Sequence, residues 1–357
     1  MMRRLRLFLI AISAIVPLLG QSSPDQLLLK NFRPKSAYNT PETRVEKARY
    51  PVIDMHSHPY AKGADQIAGW VRTMDAKGID KTVVQTYATG ARFDSIAALY
   101  QVHGDRFILF CGFDYRGYDQ PGFGPAAVKE LERCFGKGAR GVGELGDKGK
   151  GLFYGETKAW GMHIDDPRMD PLLAKCAELN MPVSIHVAEP IWMYLPMDST
   201  NDGLMNAFEW RLDNDPENLG HAATVQTLAK ALKRHPQTTF IACHFANCGY
   251  DLSILGGMMD TYPNLYADIG ARYAEVAPVP RRTARFFQQY ADRLVYGTDM
   301  GTDARMYEIT FRILESADEH FYETAQFGYH WALHGLALEE AVLRKIYRDN
   351  ALKLMGL

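Results

Sequence analysis

The sequence predicts a (β/α)8 TIM barrel with extra C-terminal helices and a long loop after the fifth strand. Eight short apolar segments alternate with helical ones, and six of them end in ionisable residues. Strands that alternate with helices pair in parallel, and eight such units in about 300 residues fit a closed barrel. The alternative is an open doubly wound sheet, but no Gly-x-Gly-x-x-Gly turn follows a strand, which disfavours dinucleotide binding.

The predicted strands and helices alternate from residue 51 to the C-terminus. The strands are expected at 51–58, 81–87, 107–114, 139–146, 181–189, 238–247, 264–272 and 293–300. The helices are expected at 64–77, 94–103, 125–135, 170–180, 221–235, 251–261 and 281–290, and everything after Asp303 is expected to be helical. The long segment 190–220 contains several aromatic residues, which favours an ordered lid or a homodimer contact over disorder.

The composition is that of an ordinary globular protein. The 357 residues are 47% hydrophobic and 23% charged, with a net charge of −2, so nothing indicates a nucleic-acid partner or an anionic membrane surface. The cysteine count is odd and no Cys-x-x-Cys motif occurs, so a cysteine zinc site is not expected and disulfide pairing stays open. The cysteines are Cys111, Cys134, Cys176, Cys243 and Cys248.

The N-terminus has the pattern of a secretory signal peptide. Arg3, Arg4 and Arg6 precede an apolar run at 7–19 and a small, polar exit at 20–24. The run is short for a transmembrane helix, so an uncleaved anchor is the less favoured alternative. We expect an exported protein, periplasmic or secreted, without a stable membrane span after signal removal. The expected organisation is a signal peptide at 1–23, an N-terminal arm at 24–50 and a metal-dependent barrel domain at 51–357.

The first strand ends in two histidines separated by one residue. Side chains at i and i+2 of a strand point the same way, so Asp54, His56 and His58 are expected on one face. Two imidazoles about 6–7 Å apart along a strand can bind one metal ion. A chance occurrence is the alternative, because the chain has 11 histidines.

Other predicted strands also carry ionisable groups near their C-terminal ends, where the active sites of such barrels lie. A buried histidine or carboxylate is costly unless it is paired or metal-bound, so a group of them at one end of the barrel favours a divalent metal site. These groups are Glu144, His186, His244, Asp268, Arg272 and Asp299.

Several segments resemble the amidohydrolase superfamily. They are IDMHSHP, SIHVAE, IACHFAN, LVYGTDM and the closing IYRDNALKLMGL. More narrowly, they resemble the amidohydrolase-related (amidohydrolase 2) branch, which includes aminocarboxymuconate-semialdehyde decarboxylase-like enzymes. The resemblance implies His56, His58, His186 and Asp299 as metal ligands and Asp54 as a supporting group beneath the metal. It also implies that His244 is either a ligand of a second metal or a catalytic acid or base.

Glu144 leaves the number of metal ions open. Its segment GVGELG resembles the bridging-glutamate segment of TatD-like members, which hold two metals. Decarboxylase-like members do not usually carry it. Glu144 is therefore expected either to ligate directly or to bind a ligand histidine through a hydrogen bond. The expected cofactor is a divalent metal, zinc by preference, as one or two ions.

The resemblance implies a metal-dependent hydrolase, in which metal-activated water attacks a small ester, lactone or amide. Asp299 would accept the proton of the water, and His244 would stabilise the oxyanion or protonate the leaving group. The alternative is non-oxidative decarboxylation of a small carboxylic acid. A non-catalytic binding protein on a barrel scaffold is a third, less favoured alternative.

The substrate is expected to be a small molecule, held by Arg272, Lys148, Tyr60 and Asp268. Arg272 suits a carboxylate because its guanidinium can bind both oxygens at once, although a salt bridge at the barrel rim is as good an interpretation. Further side chains on the loops after the strands are expected to line the pocket, or else to be exposed loop residues. They are Arg92, His163, Trp192 and Tyr194.

Overall fold

The structure, a computed structural model, describes residues 23–357. Nearly all of the predicted signal peptide lies outside the described residues. The chain divides into two compact units, Met1–Arg33 and Pro34–Leu357. In the described part of the first unit, the regular structure is one short 3-10 helix, Leu29–Asn31. A membrane-spanning helix would have to be longer and more apolar than any helix between residues 23 and 357.

The second unit is built on eight parallel strands that are neighbours in chain order. Backbone bonds also join the last strand region to the first, because Met55 N donates to Tyr296 O and Asp299 N donates to His56 O, both at 2.8 Å. The strands thus form a nearly closed barrel, which confirms the predicted fold class. They are β1 (Val52–Ser57), β2 (Ile79–Gln85), β3 (Phe107–Cys111), β4 (Ala139–Asp147), β5 (Val183–Val187), β6 (Phe240–Ala242), β7 (Leu265–Asp268) and β8 (Leu294–Val295).

Helices follow the strands around the barrel, and their ends have the expected local chemistry. Gly78 ends α1 with φ 80°, Pro125 opens α3, and the Asp303 carboxylate caps α10 by accepting from Arg305 N at 2.8 Å. The helices are α1 (Ala64–Lys77), α2 (Gly90–Tyr100), α3 (Pro125–Gly136), α4 (Asp170–Glu178), α5 (Leu204–Ala207), α6 (His221–Arg234), α7 (Leu252–Thr261), α8 (Tyr273–Val276), α9 (Pro280–Gln289), α10 (Ala304–Glu315), α11 (Glu340–Arg344) and α12 (Asn350–Met355).

The prediction of a fully helical C-terminal region is wrong between α10 and α11. Residues 316–339 instead fold back on the end of α10, and Phe321 and Leu333 form an antiparallel bridge. Gly335 makes this possible, because a Cβ there would lie 2.1 Å from the carbonyl oxygen of Ser316. Leu336 N then donates to Ile313 O at 2.7 Å. This segment supplies part of the cavity wall described below.

The prediction that Asp54, His56 and His58 share one face of β1 is also wrong. Residues Ile53 and Met55 contribute to the apolar cluster that includes Val83, Ile241 and Val295 of the other strands. The pairing of β1 with β2 shifts register between Asp54 and Ser57, so strict alternation along β1 is broken.

Candidate metal centre

Four histidines and two carboxylates meet at the C-terminal end of the barrel. They are His56 in β1, His58 just beyond it, Glu144 in β4, His186 in β5, His244 after β6 and Asp299 after β8. The sequence placed His244 and Asp299 inside longer strands, but the chain turns away earlier. His244 begins a run of four residues with positive φ, and Asp299 has φ 65°. These left-handed residues turn the chain out of the strand direction beside the centre.

Three of the histidine rings are fixed by a group behind Nδ1. The Nδ1 atoms of His58 and His244 lie 2.9 Å and 2.8 Å from the carbonyl oxygens of Gln85 and Gly270. A carbonyl only accepts, so both Nδ1 atoms carry a hydrogen, and Nε2 is the nitrogen of each ring that can ligate a cation when the ring is neutral. His56 Nδ1 lies 2.8 Å from Asp268 Oδ2, which fixes that ring in the same sense.

Glu144 lies between the histidines. Its Oε1 is 3.0 Å from His186 Nδ1, 3.1 Å from His244 Nε2 and 3.8 Å from His56 Nε2. Its Oε2 is 3.5 Å from His58 Nε2. Both oxygens of one carboxylate therefore face the donor atoms of four ligands, as a group between two cations would.

Asp299 completes the other side of the centre. Its Oδ1 lies 3.2 Å from His58 Nε2 and 3.7 Å from His56 Nε2. The tyrosine hydroxyl of Tyr60 donates to the same oxygen at 3.1 Å and lies at the mouth of the cavity. Among the carboxylates that line the cavity, Asp299 has the most exposed side chain, at 26%.

The donor atoms form two separate groups of three. His56, His58 and Asp299 form one, and Glu144, His186 and His244 form the other, with the atoms of each group within 4.8 Å of one another. Two further groups reuse His56, with Asp268 and His244 or with Glu144 and Cys243. The residues present therefore fit one or two divalent cations.

The electrostatics of the centre also fit a cation. His56 Nε2 is buried and has no hydrogen-bond partner among the described residues. Although burial opposes it, the charges of Asp268, Asp299 and Glu144 raise the pKa of His56 to about 10. The site thus concentrates negative charge around the buried His56 ring, and a bound cation would neutralise that charge.

A cavity of about 560 Å³ opens above the ligands. Its walls carry an unusual share of aromatic side chains together with the cations Lys148 and Arg272. The aromatic residues are Tyr60, Tyr87, Tyr154, Trp210, Phe327 and Tyr329. Such a mixture of apolar walls and a few polar groups is typical of a small-molecule site.

Three of the four predicted substrate-binding residues line this cavity. Tyr60, Lys148 and Arg272 do so, but Asp268 does not. Asp268 is fully buried behind His56, and its other oxygen accepts from the backbone of His244 at 3.0 Å and Gly270 at 2.9 Å. The expected substrate role of Asp268 is therefore corrected to support of the two histidines.

Asp54 supports the centre from a different direction than expected. Its Oδ1 accepts from His56 N at 3.1 Å, and both of its oxygens accept from Thr298. Tyr307 on α10 donates to it at 3.2 Å. Asp54 thus ties β1 to the segment after β8 and does not line the cavity.

The loop residues predicted to line the pocket lie elsewhere. Arg92 packs over the ring of Tyr87, with 5.4 Å from the guanidinium carbon to the ring centroid. The ring of His163 lies 2.7 Å from Asp147. The indole of Trp192 contacts Trp331, and the hydroxyl of Tyr194 accepts from Glu189 N at 3.2 Å. All four support the loops that carry lining residues.

Sequence reasoning missed several lining residues. Glu189, Glu275, Phe327 and Tyr329 all face the cavity. Glu189 was visible at the end of SIHVAE, three residues after His186, but nothing marked it apart from an ordinary strand-end glutamate. Phe327 and Tyr329 lie in the segment that was expected to be helical, so no positional signal pointed to them.

The fold and the site together define a divalent-metal enzyme on a (β/α)8 barrel. The family model described as Amidohydrolase matches residues 42–357, so the chain belongs to this family, and the amidohydrolase 2 branch named by the resemblance is confirmed. No curated protein matches the chain.

Solved structures with the same fold include two decarboxylases. The 2,6-dihydroxybenzoate decarboxylase from Rhizobium is 17% identical, covers 86% of this chain and 99% of its own, and gives a TM-score of 0.51. The 5-carboxyvanillate decarboxylase from Novosphingobium aromaticivorans, complexed with manganese, is 16% identical, with coverages of 89% and 100% and a TM-score of 0.53. A putative amidohydrolase from Staphylococcus aureus is 14% identical, with coverages of 86% and 100% and a TM-score of 0.57.

Proposed function

We propose that the chain uses two divalent cations to hydrolyse a small ester, lactone or amide. The position of Glu144 supports this most. Its Oε1 lies beside His186 and His244, with which Glu144 forms one group of three, and its Oε2 lies 3.5 Å from Nε2 of His58 in the other group. Carboxylates placed between two metal ions are common in two-metal hydrolytic sites. Decarboxylation is the second candidate, and the named neighbours favour it over hydrolysis.

The charge of the site supports two cations. Glu144, Asp268 and Asp299 carry −3 in total, so one divalent cation would leave −1 and two would leave +1. A residual negative charge would repel a nucleophilic oxygen and any anion that develops on the substrate. A residual positive charge would stabilise both.

The residues present suit the proton transfers of hydrolysis. Bound cations would polarise the substrate carbonyl and acidify water. Asp299 has the most exposed side chain among the carboxylates that line the cavity and would accept the proton and pass it to the leaving group. The Tyr60 hydroxyl holds Asp299 Oδ1 in place, and the aromatic walls limit access of bulk water.

Decarboxylation would use the same site with a single cation. The substrate carboxylate would lose its C–C bond, CO2 would leave, and the remaining carbon would take up a proton from a residue such as Asp299 or His244. Two of the neighbours named above are decarboxylases of aromatic acids, and the aromatic walls of this cavity suit such a ring. Glu144 would then act only through hydrogen bonds to His186 and His244.

A product assay on the metal-loaded protein separates the two reactions. The protein would be loaded with Mn²⁺ or with Zn²⁺ and incubated with aryl esters, lactones and N-acyl amides, and separately with hydroxybenzoic acids. We expect acid release from the first group and no CO2 from the second, with Glu144→Gln losing the hydrolysis. Release of CO2 that survives Glu144→Gln would overturn hydrolysis in favour of decarboxylation.

Metal identity, localisation and assembly complete the proposal. Zinc is compatible with the His and carboxylate ligands, whereas the 5-carboxyvanillate decarboxylase structure contains manganese. Export is supported by the N-terminal residue pattern alone, and a homodimer by the long loop at 190–220. Metal analysis of protein from native cells, fractionation of those cells and light scattering test the three points.

A further inference from the structure

Glu189 lies at the junction between the metal centre and the cationic wall of the cavity. Ala188, with φ 60°, turns the chain at the end of β5 and brings Glu189 beside His186. The Glu189 side chain is only 6% exposed and lines the cavity. A buried carboxylate in this position needs partners, and it finds them on two sides.

On the first side, Glu189 faces a histidine whose ring is reversed. His56, His58 and His244 direct Nε2 to the centre, whereas His186 directs Nδ1, which lies 3.0 Å from Glu144 Oε1. The free nitrogen of His186 is therefore Nε2, and it lies 3.5 Å from Glu189 Oε2. Glu189 lies behind His186 as Asp268 lies behind His56, but as a neighbouring charge. His186 Nε2 has no hydrogen-bond partner among the described residues, whereas His56 Nδ1 lies 2.8 Å from Asp268.

On the second side, Glu189 contacts Lys148 and Arg272, which are two of the three cations that line the cavity. The third, Lys62, donates to Pro59 O. Lys148 Nζ forms an ion pair with Oε1, and Arg272 Nη2 lies 3.5 Å from Oε2. Arg272 has a second carboxylate neighbour, because its Nε lies 3.5 Å from Glu275 Oε1. Lys148, Glu189, Arg272 and Glu275 thus alternate in charge along this wall. Burial raises the pKa of Glu275 to about 7, so the four charges cancel above that pH.

We propose that Glu189 is a positioning residue that holds the reversed ring of His186 and also neutralises Lys148 and Arg272. The inference rests on the metal centre of the proposed function. The inference adds a substrate class. A cavity wall without net charge favours a substrate that is uncharged at the end farther from the metal centre. A free carboxylate at that end would compete with Glu189 for the same two cations.

Glu275 provides a matched control. It shares Arg272 with Glu189 and also lines the cavity, but its hydrogen bond is to Tyr329, at 2.8 Å, and it contacts no metal-ligating histidine. Glu189→Gln and Glu275→Gln each remove one negative charge from the wall. Only the first removes the partner of His186.

The first measurement is the Mn²⁺ affinity of the full-length, metal-free protein, by calorimetric titration. We expect Glu189→Gln to weaken binding of one cation about 10–100-fold, the usual cost of losing a carboxylate behind a ligand histidine. Glu275→Gln should stay within about threefold of wild type, below the size of that effect. Equal Mn²⁺ affinity in wild type and Glu189→Gln would overturn the inference, as would an equal loss in both variants.

The second measurement is benzoate binding to the same metal-free proteins. Each variant leaves a wall cation uncompensated, so each should bind benzoate at least about fivefold more tightly than wild type. Unchanged benzoate affinity in Glu189→Gln would overturn the charge-balancing role. Thermal unfolding of each variant shows whether it is folded, and Glu189→Ala replaces Glu189→Gln if it is not. A wild-type protein that binds no Mn²⁺ would contradict the proposed function itself, which separates the two failures.

Discussion

At the scale of single residues, the groups behind the ligand rings decide which nitrogen faces the centre. The meeting of the four histidines and Asp299 at one end of the barrel was predictable, because imidazole and carboxylate groups at successive strand ends have few other uses. The roles of Asp268 and Glu189 were not predictable, because the sequence around a strand-end carboxylate does not show whether the carboxylate faces substrate or supports a histidine. Only the register of the strands separates these roles.

Loss of the Asp268 carboxylate behind His56 should measurably weaken metal binding. Asp268→Asn should weaken Mn²⁺ binding about 10–100-fold, because the amide no longer fixes Nδ1–H of His56 by charge. Asp105→Asn is the control, since Asp105 pairs with Lys81 in an exposed ion pair. Titration of the metal-free variants with Mn²⁺ measures both. An Asp268→Asn protein that keeps the wild-type Mn²⁺ affinity would contradict the supporting role of Asp268.

At the scale of elements, the barrel strands were placed correctly in order, but every strand except β4 was drawn past its C-terminal end. The predicted sixth strand covered 238–247, and β6 covers Phe240–Ala242. At β6 the difference comes from residues with positive φ, and Phe245 and Ala246 are residue types that seldom adopt that conformation. The irregular segment 316–339 was missed for a related reason, since its fold depends on contacts with α10.

The close approach of β8 to β1 depends on Gly297. A Cβ on Gly297 would lie 2.7 Å from the Cβ of His56. Gly297→Ala should lower the free energy of unfolding by about 1–3 kcal/mol and weaken metal binding, because His56 must move. Gly257→Ala on α7 is the control, because a Cβ there meets nothing within 4 Å. It should be neutral or stabilising by up to about 1 kcal/mol. Denaturant unfolding in parallel tests this, and equal stability of the two variants would contradict it.

Aromatic residues from two segments that are distant in sequence support Tyr329, which lines the cavity. Tyr329 and Trp331 stack with ring centroids 4.1 Å apart, and Trp192 of the loop after β5 contacts Trp331 at 5.3 Å. Trp331→Ala should raise KM several-fold and leave kcat less affected, because Tyr329 loses its support but the ligands do not. Trp160→Ala removes a side chain that is 47% exposed and does not line the cavity, and it should change neither. Steady-state kinetics on a substrate from the product assay measures this, and a pure kcat effect would contradict it.

At the scale of the whole molecule, the metal centre joins strands from all around the barrel. Ligands come from β1, β4 and β5 and from the segments that follow β6 and β8. The circular arrangement was predictable from the alternation of strands and helices, because parallel strands end at one side of a barrel. The charge balance of the cavity wall was not, because pairing of Lys148 and Arg272 with Glu189 depends on side-chain positions.

Removal of the metal should therefore destabilise the whole barrel. A ligand at one hundred times its Kd stabilises the folded state by about 2.7 kcal/mol, which is lost when a chelator removes it. We expect a chelator to lower Tm by several degrees and Mn²⁺ to restore it. A double variant, His56→Ala with His58→Ala, keeps the group of Glu144, His186 and His244 and should respond to both additions with a smaller shift in Tm than wild type. An unchanged wild-type Tm after complete metal removal would contradict a shared centre.

In the proposed function, Glu144 lies between two cations. Anomalous diffraction from crystals soaked in Mn²⁺ tests it most directly, because each bound ion gives its own peak. We predict two peaks, one beside His56, His58 and Asp299 and one beside His186 and His244, with Glu144 contacting both. A single peak at full occupancy, with Glu144 bonded only to histidines, would contradict the two-cation centre and favour decarboxylation.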